Sequence, residues 1–93
     1  MIFGLFSKKK EEVLIGEVIH YFRKINVSVI KVNKDKLEVG DVIRFSGHSS
    51  DFTQKIKSMQ IDHNAVETVS KGGEAAIKVK SKVRTGTKVF KVA

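Results

Sequence analysis

The chain has three histidines, His20, His48 and His63, and two of them stand near carboxylates. Asp51 follows His48 by three residues, and Asp62 adjoins His63. A zinc site needs three or four such ligands to converge on one point. Adjacent residues of a strand face opposite sides, so Asp62 and His63 read as diverging groups rather than a ligand pair. The spacing predicts surface or turn-capping histidines and no metal. His48, Ser49, Ser50 and Asp51 also carry the letters of a hydrolytic triad. Triads are assembled from distant segments on rigid supports, not from four neighbours on one loop. No catalytic residue and no enzymatic activity are therefore expected. The segment reads either as hydroxyls and a carboxylate satisfying backbone amides or as a recognition loop. In the second case His48, Ser49, Ser50, Asp51, Phe52 and Gln54 would face a protein partner.

Lysine is the other residue type with chemical meaning. Lys78, Lys80 and Lys82 recur at every second position, which on a strand puts their charges on one face about 6.6 Å apart. Lys55 and Lys57 repeat the pattern, and Arg84 and Lys88 flank a turn. The chain carries 18 Lys+Arg against 10 Asp+Glu, a formal charge of +8 in 93 residues. That balance favours polyanion contact at low salt. It equally describes a lysine-rich outer face that keeps strands apart. Only three of the 18 are arginine, and base readout and bidentate phosphate clamps favour arginine. A nucleic acid would thus be held by its backbone or shape. Phe22, Phe45 and Phe90 read as core residues, which leaves Tyr21 and Phe52 as the aromatic side chains expected at the surface.

No Gly-rich phosphate loop with its Lys-Ser/Thr pair occurs, so neither nucleotide nor any cofactor is expected. Cysteine is absent, which excludes disulfides and thiol chemistry and fits a reducing, cytoplasmic setting.

The elements that must position these residues read as strands. Val13–Phe22 and Ile25–Val32 are β-branched or aromatic runs. A turn at residues 33–36 precedes Leu37–Asp41, in which Gly40 supplies backbone freedom. Asp41–Phe45 is a short strand and Ser46–Asp51 a loop. Phe52–His63 reads as one long strand with a bulge near Lys57 and Ser58, because Ile56 and Met59 stand three apart. Asn64–Gly73 is a connector with Val66 and Val69 inward, and Ala65–Ser70 offers one helical turn. In Glu74–Lys82, Ala75, Ile77 and Val79 alternate with the lysines. Lys88–Val92 closes the chain. Six short strands with turns between them predict a small all-β, closed, Greek-key-like barrel over residues 13–93.

Residues 1–12 differ. Ile2, Phe3, Leu5 and Phe6 form an apolar tip ahead of Lys8, Lys9 and Lys10. The order is the reverse of a secretory signal, and the tip is too short to span a bilayer. A flexible tail is expected, docked on the barrel or frayed, with interfacial membrane contact the lesser alternative.

Several pieces in order resemble a known family. They are Gly16-x-Val18, Leu37-x-Val39-Gly40-Asp41-x-Ile43, Lys57–Ile61, Gly72-Gly73-Glu74-Ala75-Ala76-Ile77 and Val83-Arg84-x-Gly86-x-x-Val89. Together they are similar to the second, β-barrel domain of translational GTPases such as elongation factor Tu. They are closer still to free-standing translation elongation factor-like proteins, whose signature Gly47–Gln54 and Ser58–His63 look like. A related barrel ends some collagenase-like peptidases. The chain departs from the pattern where Gly73-Glu74 and Gly86-Thr87 replace Gly-Asp turns. The resemblance implies a translation-type barrel that associates with RNA or the ribosome through Lys55, Lys57, Lys78, Lys80, Lys82, Arg84 and Lys88. Docking on a protein through residues 47–54 is the alternative.

Overall fold

The computed structural model describes residues 11–92 except Ser49. The apolar tip and its lysines therefore lie outside the described residues. Ten strands follow in order: β1 (Glu12–Phe22), β2 (Val27–Val32), β3 (Lys36–Glu38), β4 (Val42–Ser46), β5 (Asp51–Lys55), β6 (Met59–Ile61), β7 (Asn64–Val66), β8 (Thr68–Ser70), β9 (Glu74–Lys78) and β10 (Lys88–Val92). Eight of them form one antiparallel sheet in the order β5-β4-β10-β1-β2-β9-β6-β7, and β3 pairs with β8 apart from it. The all-β class is as expected. The strand number and the closure are not: there are ten strands instead of six, and the large sheet ends at β5 and β7.

The difference has a local cause. Ile56 and Met59 are both buried, so the chain must turn through Lys57 and Ser58 to point both inward. The expected long strand is cut there into β5, which pairs with β4, and β6, which pairs with β9 and β7. The two halves serve different neighbours, so this is a corner and not a bulge within one strand. The connector after it holds β7 and β8 instead of a helical turn. Asp62 and His63 are the two residues of the β6–β7 hairpin turn, at φ 50° and 67°. They do not alternate across a strand as the sequence reading had them.

Strand β1 is the spine, flanked by β10 and β2. It carries two irregularities, between Leu14 and Gly16 and between Val18 and His20. Each extra residue resets which face the following side chains take. Val18 is fully buried opposite Ile30. His20 then pairs with Val29 and Phe22 with Val27 on the outer face, and Tyr21 turns inward opposite the buried Ser28. Phe22, expected in the core, is 45% exposed. Tyr21, expected outside, packs against the core and donates from its hydroxyl to Asn26 Oδ1 at 3.1 Å.

The interior is built from Ile15, Val18, Ile30, Leu37, Ile43, Phe45, Ile56, Met59 and Ile77, all at 1% exposure or less. Phe90 lies half-buried on β10 rather than inside. Ser28 is the one polar side chain among the described residues that is buried with an unpartnered oxygen. An unmade buried hydrogen bond costs about 1–3 kcal/mol. Ser28→Ala is thus expected to raise the melting temperature by a few degrees, on the scale of about 4–8 °C per kcal/mol for a domain of this size. Calorimetry checks it, and an unchanged or lower midpoint would contradict it.

Candidate functional site

Two concave regions mark the outer surface, one apolar and one basic. The apolar groove has a volume of about 640 Å³. Its floor is a cross-strand row set by register: Val29 opposite Ala76, and Ala76 opposite Gln60. Val29 and Ala76 are half-buried and small enough to leave the floor hollow. One wall is Phe22 with Ile25, which is 58% exposed, and the other is the β6–β7 hairpin with Gln60, Ile61, Asp62 and His63. The His20 ring lies 4.3 Å from the Phe22 ring between centroids, tilted by 56°, and braces that wall. Phe22 and Ile25 are two of only four large apolar side chains exposed among the described residues. A contiguous apolar patch on a charged domain marks a contact surface.

The basic groove, of about 630 Å³, lies between β5 and the stretch that follows β9. It is lined by Gln54, Lys55, Lys57, Ser58, Lys78, Val79 and Lys80. Lys55 and Lys57 flank the buried Ile56, and Lys78 and Lys80 flank the buried Val79, so alternation turns all four outward. Gln54 spans the gap at one level. Its Nε2 donates to the Lys78 carbonyl at 2.9 Å, and its Oε1 accepts from the Lys80 amide at 3.0 Å. Of the other basic residues singled out in the sequence, Lys82 and Arg84 are exposed. Lys88 is held by Glu17 at 3.1 Å. Strand β9 stops at Lys78, and its alternation ends at Lys80, because Ser81 and Lys82 are both exposed.

The serine- and histidine-containing loop is tied into the scaffold. Arg44 holds Asp51 bidentately, Nε to Oδ1 and Nη2 to Oδ2 both at 2.8 Å, and reaches Glu12 Oε1 with Nη1 at 2.8 Å. Ser50 Oγ donates to the Lys82 carbonyl at 2.8 Å. The carboxylate and hydroxyl that a triad would need are thus spent on structure. His48 is exposed, and Ser49 lies outside the described residues. Phe52, expected as an exposed contact, packs on the core and stacks on Phe45 at 4.9 Å, with Lys80 Nζ 5.9 Å from its ring centroid. His20, His48 and His63 sit on β1, a loop and a hairpin turn respectively.

The hydrogen bonds from Arg44 hold the Asp51 carboxyl below its ordinary range, with slight desolvation opposing and the guanidinium charge assisting. The same contacts raise Arg44. A depressed carboxyl stabilises the fold above its unfolded-state pKa, and that contribution fades as pH falls through the native value. An NMR titration should find Asp51 protonating late on acidification, and at the ordinary carboxylate midpoint in Arg44→Gln. An identical midpoint in both proteins would refute the clamp.

Comparison with known proteins places the chain. No protein-family model matches it. It is 33% identical over 85 residues to an uncharacterized protease of Methanocaldococcus jannaschii, covering 90% of this chain and 21% of that protein. It is 28% identical over 83 residues to a collagenase of Porphyromonas gingivalis, covering 88% and 20%. The chain thus spans about a fifth of the length of the curated relatives it matches. The C-terminal domain of a Geobacillus thermoleovorans U32 peptidase superposes with a TM-score of 0.78 at 20% identity, covering 85% of this chain and 91% of that one. Its selenomethionine form gives 0.76 at 19%.

These likenesses correct the sequence reading. The relatives are proteases and collagenases, and the matching fold is a peptidase C-terminal domain, not a translation factor. The translation-factor resemblance therefore falls, and with it association with RNA or the ribosome and the alternative role of a free docking module acting through residues 47–54. The expectation of no enzymatic activity is corrected too, because the relatives carry enzyme names. The related barrel of collagenase-like peptidases was the part of the resemblance that pointed the right way. Sequence reasoning missed the apolar groove, because the irregularity after Val18 hides which face Phe22 takes.

Proposed function

We propose that this chain is the counterpart of the C-terminal domain of U32-type peptidases and serves proteolysis by engaging extended polypeptide substrate. The apolar groove between Phe22, Ile25 and the β6–β7 hairpin carries this reading. A strand of substrate laid along it would bury side chains against Val29 and Ala76 and meet the polar Gln60 at the rim. The rolled, barrel-like form of the sheet belongs to the same reading. Gln54 and Ser50 join the β5 side to residues 78–82 by side-chain hydrogen bonds, which keeps the apolar outer face curved and open.

The test is binding of gelatin, chosen because the relatives include collagenases. The parent chain should bind gelatin, and Phe22→Ser with Ile25→Ser should weaken binding at least tenfold. Burying such side chains is worth about 1.5–3 kcal/mol each when complete. Both residues are exposed, so circular dichroism should be unchanged. Undiminished binding by the variant, or no binding by the parent, would overturn the reading.

A further inference from the structure

We propose that the groove between β5 and residues 78–80 is a binding site for the carboxylates of an acidic, extended polypeptide segment. The site is separate from the apolar groove, so it goes beyond the substrate reading above and does not depend on it.

Four lysines, Lys55, Lys57, Lys78 and Lys80, line this concavity, and no Asp or Glu lines it. Among the described residues none of the four lies within ion-pair distance of a carboxylate, whereas Lys36, Lys88 and Lys91 each have one. A concave surface lined by one sign of charge focuses its field and raises the local concentration of oppositely charged groups. The lysines form two pairs, each separated by one buried residue, Ile56 or Val79, so both members of a pair turn to the groove. An extended peptide presents alternate side chains on one face. Alternate glutamates of one strand would therefore face the two lysine pairs together.

The lining favours carboxylates over nucleic acid. It contains neither arginine nor an aromatic ring, whereas single-stranded nucleic acid is held on stacking platforms. The nearest ring, Phe52, stacks on Phe45, and Lys80 stands over it. Gln54 is committed to the Lys78 and Lys80 backbone and fixes the spacing of the two pairs.

Fluorescence anisotropy with a labelled octaglutamate at low salt tests the proposal. Three further probes are an octaglutamine peptide, an octauridine RNA and a double variant, Phe22→Ser with Ile25→Ser. The parent should bind octaglutamate and not octaglutamine. Changing Lys55, Lys57, Lys78 and Lys80 to Gln should weaken binding at least tenfold, from roughly two- to fivefold per exposed charge pair. Removing the same charge elsewhere, at Arg23, Lys24, Lys34 and Lys71, should cost about twofold, because screened distant charges contribute little. The Phe22/Ile25 variant should bind octaglutamate as the parent does, which separates this site from the gelatin test. Equal losses in the two charge variants would mean diffuse attraction and overturn the proposal. So would octauridine binding more tightly than octaglutamate and depending on the same four lysines.

Discussion

Gly16→Ala is expected to remove a large part of the stability of the fold. A Cβ at this position would stand 2.0 Å from the Lys31 carbonyl oxygen and 3.3 Å from Val32 Cα. Both are backbone atoms of the neighbouring strand, so no side chain can swing away. Gly16 pairs with Val32 on one side and Val89 on the other, and β1 cannot shift from one partner without losing the other. The cost should reach or exceed about 3 kcal/mol, the upper end of ordinary overpacking. Stability for a chain of this length is only on the order of 5–14 kcal/mol. Urea denaturation is the measurement, with Gly72→Ala as the contrast. Gly72 has positive φ (+93°) but open space around it, so alanine there should cost about 1–2 kcal/mol from backbone conformation alone. If the two variants lose the same amount, the close approach of the strands is not what fixes glycine at 16.

Phe45→Ala should be comparably severe. Phe45 is fully buried on β4 and stacks on Phe52. Truncating a buried phenylalanine costs about 3–5 kcal/mol, a sum of lost transfer energy and the cavity left behind. The effect should also reach the basic groove, because Phe52 carries Lys80 on its outer side. The expected result is a large drop in the denaturation midpoint and, in any folded fraction, weaker octaglutamate binding. A stability within about 1.5 kcal/mol of the parent, the scale of a volume-conserving swap, would mean that the site collapses around the smaller side chain.

β-branched and aromatic runs revealed β1, β2, β4 and β10 nearly to their ends. The glycines marked real turns, since Gly40, Gly72 and Gly86 all have positive φ. Those same glycines misled the family reading. A turn that needs positive φ favours glycine in any β fold, so such motifs report backbone geometry and not function. Thr87 fills the place of the missing turn aspartate, its Oγ1 accepting from the Arg84 amide at 3.3 Å. β3 and β8 are three residues each, too short to show a period. The Asp62–His63 turn lacks the Asn-Gly signal of a tight hairpin. The basic groove was half legible. Both lysine pairs stood in the sequence, but their meeting depends on Gln54, which the sequence assigned to a recognition loop and the structure bonds to the Lys78 and Lys80 backbone.

The pairing of β1 with β10 joins residues at least 71 positions apart, from Glu17 with Lys88 to Glu12 with Val92. The spine of the sheet therefore lacks one of its two neighbours until the last strand arrives. A nascent chain on the ribosome can form the β1–β2 hairpin early, but it cannot complete the sheet until Lys88–Val92 has emerged. Loop closure over such a span must come before its contacts reward it. Folding should take on the order of milliseconds to seconds, the range of domains dominated by non-local strand pairing. During that wait the unpaired edge of β1 is the part of the molecule most exposed to association with other chains.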